Sequence, residues 1–442
     1  MPIDKSLYAA RRREVLSRMG GGVLVVPSTP VYIRNNDVEH AYRQDSDLYY
    51  LTGFDEPETV LVLREREGRP EAIFFVRPKN AEREIWDGYR AGVEGAVAEY
   101  GASVAHSIED LERLLPDLLE NTRRLFYRLG LYTTFDSRVL RAIDVVRSRA
   151  RRGVYAPTEI VDPGTIVHEL RLRKDEQELA LMRRAAEITG HAHRAAMEAA
   201  LPGRYEYEVE AEIERAFRAG GSRRPAYESI VGSGPNATVL HYRSNSRRME
   251  DGDLLLIDAG CEYGYYASDV TRTFPVGGRF TEAQRALYEI VLRSQKEAIA
   301  AVRPGITMDD VHDVALRVLV EGLIELGLLE GSSSARIEDG GYRAYYMHRT
   351  SHFLGMDVHD VGSYFVDGAK RLLEPGMILT VEPGLYVGEH SEAPEAFRGN
   401  GIRIEDDIVV TETGYENLTA HIPKEADELE TILGARPRVR AT

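Results

Sequence analysis

The chain has 442 residues, 43% of them hydrophobic and 29% charged, which allows two or three domains with sizeable cores and excludes a disordered protein. A formal net charge of −16 argues against a phosphate-binding surface, so no nucleic-acid partner is expected. The single cysteine, Cys261, rules out an intrachain disulfide and suits a reducing compartment. The amino terminus, "MPIDKSLYAARRREVL", has no apolar leader segment, and no run of about 18 apolar residues occurs. The expectation is a cytoplasmic protein with no membrane partner.

Residues 1–165 alternate strand-like runs ("GVLVVP", "TVLVLRE", "EAIFFVRP") with helical stretches at 108–121 and 138–152, which predicts a compact α/β domain. The arginine-rich stretch 147–152 reads as a solvated helix end. Punctuation at Pro157 and at Asp162-Pro163-Gly164 places the domain boundary there, with residues 166–442 as a second domain. Asp175 and Glu178 have capping-box spacing and open a long amphipathic helix that ends before Pro202-Gly203. Helical pattern returns at 206–219, 282–302 and 308–326. "MILTVEPGLYV" reads as a strand interrupted by Pro383-Gly384. "GIRIEDDIVV" reads as one strand alternating Ile402, Ile404 and Ile408 against Arg403, Glu405 and Asp407. The second domain is expected to be α+β, with helices around antiparallel strands.

"LLLIDAGCEYGYYASDVTRTFPV", residues 254–276, starts as a buried strand and then brings in two acids, Asp258 and Asp269. A hairpin with Tyr263-Gly264 as its two-residue loop would set Asp258 directly opposite Asp269. Opposed like charges destabilise a ladder, and a buried unpaired carboxylate takes up a proton; a bound cation removes both penalties. Glu382 and Glu405 likewise interrupt apolar strands. "MHRTSHFLGMDVHDVG" holds His348, His352 and His359, the first two spaced i, i+4 without the glutamate of a zincin helix, and Gly355 with its β-branched neighbours favours a loop or strand there.

The candidate ligands are thus Asp258, Asp269, Glu382, Glu405 and one histidine. That oxygen-rich set suits manganese, magnesium or iron(II), while cobalt and zinc also remain open. Four carboxylates are neutralised by two divalent cations, which predicts a two-metal site able to make hydroxide near neutral pH. Cys261 is expected to be a small buried residue rather than a catalytic thiol. "VGSGPNA" lacks the lysine and spacing of a phosphate loop, and no GxSxG elbow is present.

"VGSGPNATVLHY", "DLLLIDAGCEYGYYASDVTRTFPV", "SHFLGMDVHDVG", "LTVEPGLYV" and "GIRIEDDIVVTETGYENLT", in that order, resemble the signature segments of the Xaa-Pro aminopeptidases. "RQDSDLYYLTGFDEPETVLVL" is similar to that family's amino-terminal domain. The resemblance implies a creatinase-like α/β domain followed by a pita-bread catalytic domain, the fold shared with methionine aminopeptidase and prolidase. It implies Asp258, Asp269, His352, Glu382 and Glu405 as ligands of two divalent ions, with Asp269 and Glu405 bridging and manganese the usual metal. His241, His348, His359 and Arg403 fall where the family orients substrate and stabilises the transition state, Glu382 handles the proton, and Tyr386 lies beside the site. The implied substrates are peptides with proline in second position, and the implied assembly is a homo-oligomer, dimer or tetramer. The chain departs from the family at Arg349, Thr350 and Phe353, where glycine, leucine and tryptophan are common. The competing readings are a prolidase restricted to dipeptides, a metal-free pita-bread binding module, and a creatine-type amidinohydrolase.

Overall fold

A computed structural model describes residues 3–436. The chain divides into two compact units between Arg171 and Leu172. In the first, a six-stranded sheet runs in the order Val104–Ser107, Arg69–Val76, Val60–Arg66, Val23–Pro27, Arg124–Phe126, Glu159–Val161. Its central strand pairs antiparallel with Val60–Arg66 and parallel with Arg124–Phe126, the mixed pattern that the alternating strands and helices require. The helix Gly164–Leu172 begins at the predicted punctuation. Its His168 and Arg171 both hold Asp47, at 3.1 and 2.7 Å.

The second unit wraps long helices around short antiparallel strands. Asp175 caps the helix Glu176–Ala199 by accepting from the amides of Gln177 and Glu178, while Glu178 accepts from the Asp175 amide at 3.0 Å. The other carboxylate oxygen of Glu178 accepts from the Tyr266 hydroxyl at 2.7 Å, so the same residue ties the helix start to the following hairpin. Helices Glu206–Ala219, Glu282–Ala301 and Met308–Glu325 follow at the expected positions. The strand Leu254–Asp258 is buried on both faces, which is why its apolar run is unbroken: Leu255 and Ile257 join the main core with Val291 and Leu319, and Leu256 packs with Ile230 and Tyr386.

The hairpin register differs from the expected one by two residues. Glu262 pairs with Ala267 and Tyr263 with Tyr266, so the loop is Gly264-Tyr265, both with positive φ (59° and 74°) as a type I′ turn demands. Asp258 consequently faces Thr271 rather than Asp269. An even shift keeps every side chain on its face, so Asp258 and Asp269 remain diagonal neighbours on one side of the ladder. Gly260 permits this register, since a Cβ there would lie 1.7 Å from the Ser268 carbonyl oxygen.

"GIRIEDDIVV" is two strands. Asn400–Arg403 pairs with Gly384–Val387, and Asp406–Val410 pairs with Ile378–Val381 in a different sheet. The alternating polar residues are buried as well: Arg403, Glu405 and Asp407 are 3%, 2% and 1% exposed. The chain changes sheets at Ile404-Glu405, and that break turns Glu405 toward a cavity.

Candidate active site

All four acids sit where a strand ends or breaks. Asp258 closes Leu254–Asp258, Asp269 precedes Thr271–Pro275, Glu382 follows Ile378–Val381, and Glu405 occupies the change of sheet. At such points a side chain leaves the packed interior without breaking a ladder bond. The four carboxylates line one cavity of about 490 Å³ together with His241, His348, His352, His359 and Arg403. The structure therefore gathers all the candidate ligands with the candidate histidines and Arg403, while Tyr386 does not line the cavity but bonds to His348 and Arg403. Ligating atoms of Asp269, His352 and Glu405 all lie within 4.8 Å of one another, a group that could hold a metal ion.

His352 is oriented for ligation. Its Nδ1 lies 3.0 Å from the Phe353 carbonyl oxygen, which only accepts, so the proton sits on Nδ1 and Nε2 faces the acids. Nε2 is 3.4 Å from Asp269 and 3.6 Å from Glu382. As expected, the segment carrying it is not helical.

The electrostatics test whether the residues fit cations. Burial pushes the Glu382 carboxyl up to about 7, against the pull of His352 and Arg403. Burial and then the charges of Asp269, Glu382 and Asp258 hold Glu405 well above the carboxylate range. Asp258 is also raised, by burial and by Asp269, although Arg403 opposes both. Burial lowers His352, but its contacts with Asp269 and Glu382 carry it up to about 9. Four carboxylates against one guanidinium are under-neutralised, and hard oxygen donors of this kind fit divalent cations.

The histidines separate into two kinds. His348 has both nitrogens engaged: Nδ1 with the Arg349 carbonyl at 2.8 Å and Nε2 with the Tyr386 hydroxyl at 2.9 Å. Arg403 donates to that same Tyr386 oxygen at 2.9 Å, to Asp258 at 2.6 Å and to Thr271 at 3.1 Å, so one guanidinium links the acidic cluster to His348. Burial holds His348 down at about 4, keeping it neutral. His241 and His359 are exposed on the cavity wall and have no hydrogen-bond partner among the described residues. His359 rests its ring 4.2 Å from that of His352.

Three participants escaped the sequence reading. Tyr227 sets its hydroxyl between two acids, 2.6 Å from Asp258 and in contact with Asp269. Thr271 donates to Glu405 at 2.6 Å, and Asp407 accepts from the Asp269 amide at 3.2 Å. None of the three carried a signal in the sequence, since Thr271 comes opposite Asp258 only in the observed register. Two bland expectations agree with the structure. Cys261 is buried, with its thiol pushed up to about 12, too high for a nucleophile. In "VGSGPNA" the Glu206 carboxylate accepts from the Ser233 amide and hydroxyl and from Asn236, so the donors a phosphate would need are taken. No helix among the described residues is long and apolar enough to cross a membrane.

Residues 180–412 match the model of metallopeptidase family M24, and residues 8–127 match that of the aminopeptidase P amino-terminal domain. The chain belongs to metallopeptidase family M24, with a pita-bread catalytic domain behind an aminopeptidase P amino-terminal domain. It is 44% identical over 435 residues to the Xaa-Pro aminopeptidase of Escherichia coli, covering 98% of both chains. The structure of Pseudomonas aeruginosa aminopeptidase PepP matches with a TM-score of 0.97 at 48% identity, covering 98% of this chain and 99% of that one. Zinc-substituted E. coli aminopeptidase P in complex with product matches with a TM-score of 0.97 at 44% identity, covering 99% and 100%.

Proposed function

We propose that the chain is an aminopeptidase that removes an amino-terminal residue preceding proline, with Asp258, Asp269, His352, Glu382 and Glu405 holding two divalent cations. The observation that carries this reading is the convergence of those five side chains, with the Arg403 guanidinium donating to Asp258, in one cavity of about 490 Å³. Relatives named Xaa-Pro aminopeptidase along the full chain support it. Such cations supply Lewis acidity, lowering the pKa of water to about 7 and polarising the scissile carbonyl.

The chain's own residues do the rest. Glu382, at the cavity wall, takes the proton from the attacking water and returns it to the proline nitrogen, which as a tertiary amide has no hydrogen of its own and must be protonated to leave. His241 and His359, which have no hydrogen-bond partner among the described residues, face the substrate. His348 acts as a positioning residue, since Tyr386 and Arg349 occupy its nitrogens and Tyr386 in turn accepts from Arg403. The residual negative charge of the cluster attracts the substrate's free α-ammonium. Manganese is the proposed metal, and a cytoplasmic homo-oligomer the proposed state.

The test compares Arg-Pro-Pro, its N-acetyl form and Arg-Ala-Pro on metal-loaded enzyme. Only the first is cleaved efficiently. Comparable kcat/KM for the acetylated peptide shows that the amine is not recognised, and rapid cleavage of Arg-Ala-Pro makes the enzyme a general aminopeptidase. A strict prolidase leaves Arg-Pro-Pro intact.

A further inference from the structure

The cavity is acidic where it is buried, and its exposed lining carries two arginines and one glutamate, Glu228. The floor holds Asp258, Asp269, Glu382 and Glu405, while the same wall carries two arginines, Arg243 and Arg349, whose side chains are 58% and 60% exposed. Neither arginine is locked. Arg243 meets Glu228 at 3.3 Å, and that glutamate side chain is 74% exposed. Arg349 contacts Asp309, which also contacts Lys370, so Asp309 keeps a counter-charge when the guanidinium turns away. Exposed pairs of this kind contribute about 0–1 kcal/mol, and exchanging such a partner for a substrate carboxylate costs little. A guanidinium also presents parallel N–H donors that match both oxygens of a carboxylate.

We propose that Arg349 and Arg243 form a carboxylate-reading rim, which binds the free C-terminal carboxylate of short peptides while the acidic floor holds their amino terminus. The inference rests on the aminopeptidase reading above. A tri- or tetrapeptide carries an ammonium at one end and a carboxylate at the other, which is the charge order of this cavity. Amidated peptides lose the second contact. Peptides much longer than the cavity carry their carboxylate past the rim and lose it too.

The experiment measures kcat/KM on metal-loaded wild-type enzyme and on the double variant R243Q/R349Q, using Ala-Pro-Ala, Ala-Pro-Ala-amide and Ala-Pro-Glu-amide. Wild type is expected to favour the acid over its amide by about tenfold, chiefly through KM, as a charged hydrogen bond of about 1.5 kcal/mol implies. In the double variant that ratio falls to about one. Because each ratio is taken within one protein preparation, a loss of folded enzyme cancels. Ala-Pro-Glu-amide separates the two sources of a carboxylate: it stays as slow as the plain amide if the rim reads the chain terminus. Rescue of its rate to that of the acid overturns the assignment to the C-terminus in favour of a side-chain pocket. An acid-to-amide ratio within twofold in wild type, or one the double variant leaves intact, overturns the rim altogether. Failure to cleave Ala-Pro-Ala in either form with the metal bound is a different result, since it sinks the aminopeptidase reading itself.

Discussion

Glu405 and Asp406 are adjacent in the chain and both buried, yet their carboxyls are shifted in opposite directions. Asp406 contacts Lys424 and accepts from Arg272 at 2.7 Å, Gln295 at 2.8 Å and Asn417 and Thr419 at 2.9 Å. Although burial would raise it, Arg272 and Lys424 hold it well below the carboxylate range. Glu405 accepts from the Thr271 hydroxyl, and burial with the charges of Asp269, Glu382 and Asp258 outweighs Arg403 and pushes it well above that range. One cluster is electrically complete from the chain alone, and the other is completed, under the proposed function, by cations. They are also mechanically joined, since Arg272 donates to the backbone carbonyls of Thr271 at 2.9 Å and Glu405 at 2.6 Å. The finished cluster is the frame on which the unfinished one is mounted.

The sharpest break in that comparison is removal of the cations. Chelation is expected to abolish peptide cleavage and lower the melting temperature, while unfolding stays cooperative because the Asp406 cluster persists. Each occupied site at about 1,000 times its Kd contributes about 4 kcal/mol to apparent stability, and stripping forfeits it. Asp269→Asn should lose metal and activity together. Elemental analysis of active enzyme showing less than one metal per chain would end the two-ion argument.

Glu382 divides chemistry from structure. Glu382→Gln keeps the shape and removes a base, so kcat is expected to fall by about 10²–10⁴ while the folded state survives. Turnover near that of wild type with manganese in excess would remove Glu382 from proton transfer.

Asp406→Ala addresses the complete cluster. It leaves Arg272 buried without its carboxylate, and breaking a buried pair in this way costs about 3–5 kcal/mol. Urea unfolding reads the loss. The comparison predicts that the surviving folded fraction binds its metals with unchanged stoichiometry, and a parallel loss of metal would show that the two clusters are not separable.

These outcomes bear on how much the sequence could say. The helices were legible because capping chemistry is local: Asp175 and Glu178, three residues apart, announce the helix they cap. The acids were legible because a carboxylate inside an apolar run is costly, and Asp258, Asp269, Glu382 and Glu405 all stood out on that ground. The hairpin register was not, because Gly264-Tyr265 requires a tyrosine at positive φ, which turn propensities disfavour, and the close contact at Gly260 that fixes it is invisible locally. The change of sheet inside "GIRIEDDIVV" was hidden for a related reason: alternation looks the same whether the polar residues meet water or a buried network. Tyr227 left no trace at all, lying 31 and 42 residues from its two partners.

A gentler probe uses pH on the cation-free protein. With its carboxyl raised from 4.5 to about 7 by burial, folded Glu382 binds a proton more tightly than the unfolded chain does. Its contribution to stability is therefore fully present below about pH 4.5 and is lost as pH rises to about 7, a change of about 3 kcal/mol at about 1.4 kcal/mol per unit. Stripped Glu382→Gln lacks this term, so relative to stripped wild type it gains stability across that window. A difference that is flat with pH would mean that burial does not raise Glu382 as the geometry requires. Asp406, already held ionised, gives the reverse trend, with its stabilisation present at neutral pH and lost only in acid.

The smallest effect concerns Tyr227, which belongs to neither cluster by charge but touches two acids of the unfinished one. Its hydroxyl carries one proton and lies between Asp258 and Asp269, so it donates to one of them at a time. Burial, followed by those two charges, keeps the phenol protonated. Its role is then to fix the directions in which two carboxylates present their remaining lone pairs to a cation. Hydrogen-bond partners of ligating side chains typically matter by about 10–100-fold in metal affinity. Tyr227→Phe removes one oxygen and little volume, so weakening within that range, read by competition with a chelating dye, is the expected result, with near-normal kcat once metal is saturating. Unchanged affinity would mean that Asp258 and Asp269 are aimed by the backbone and by Arg403 alone, and that the tyrosine only fills space beside them.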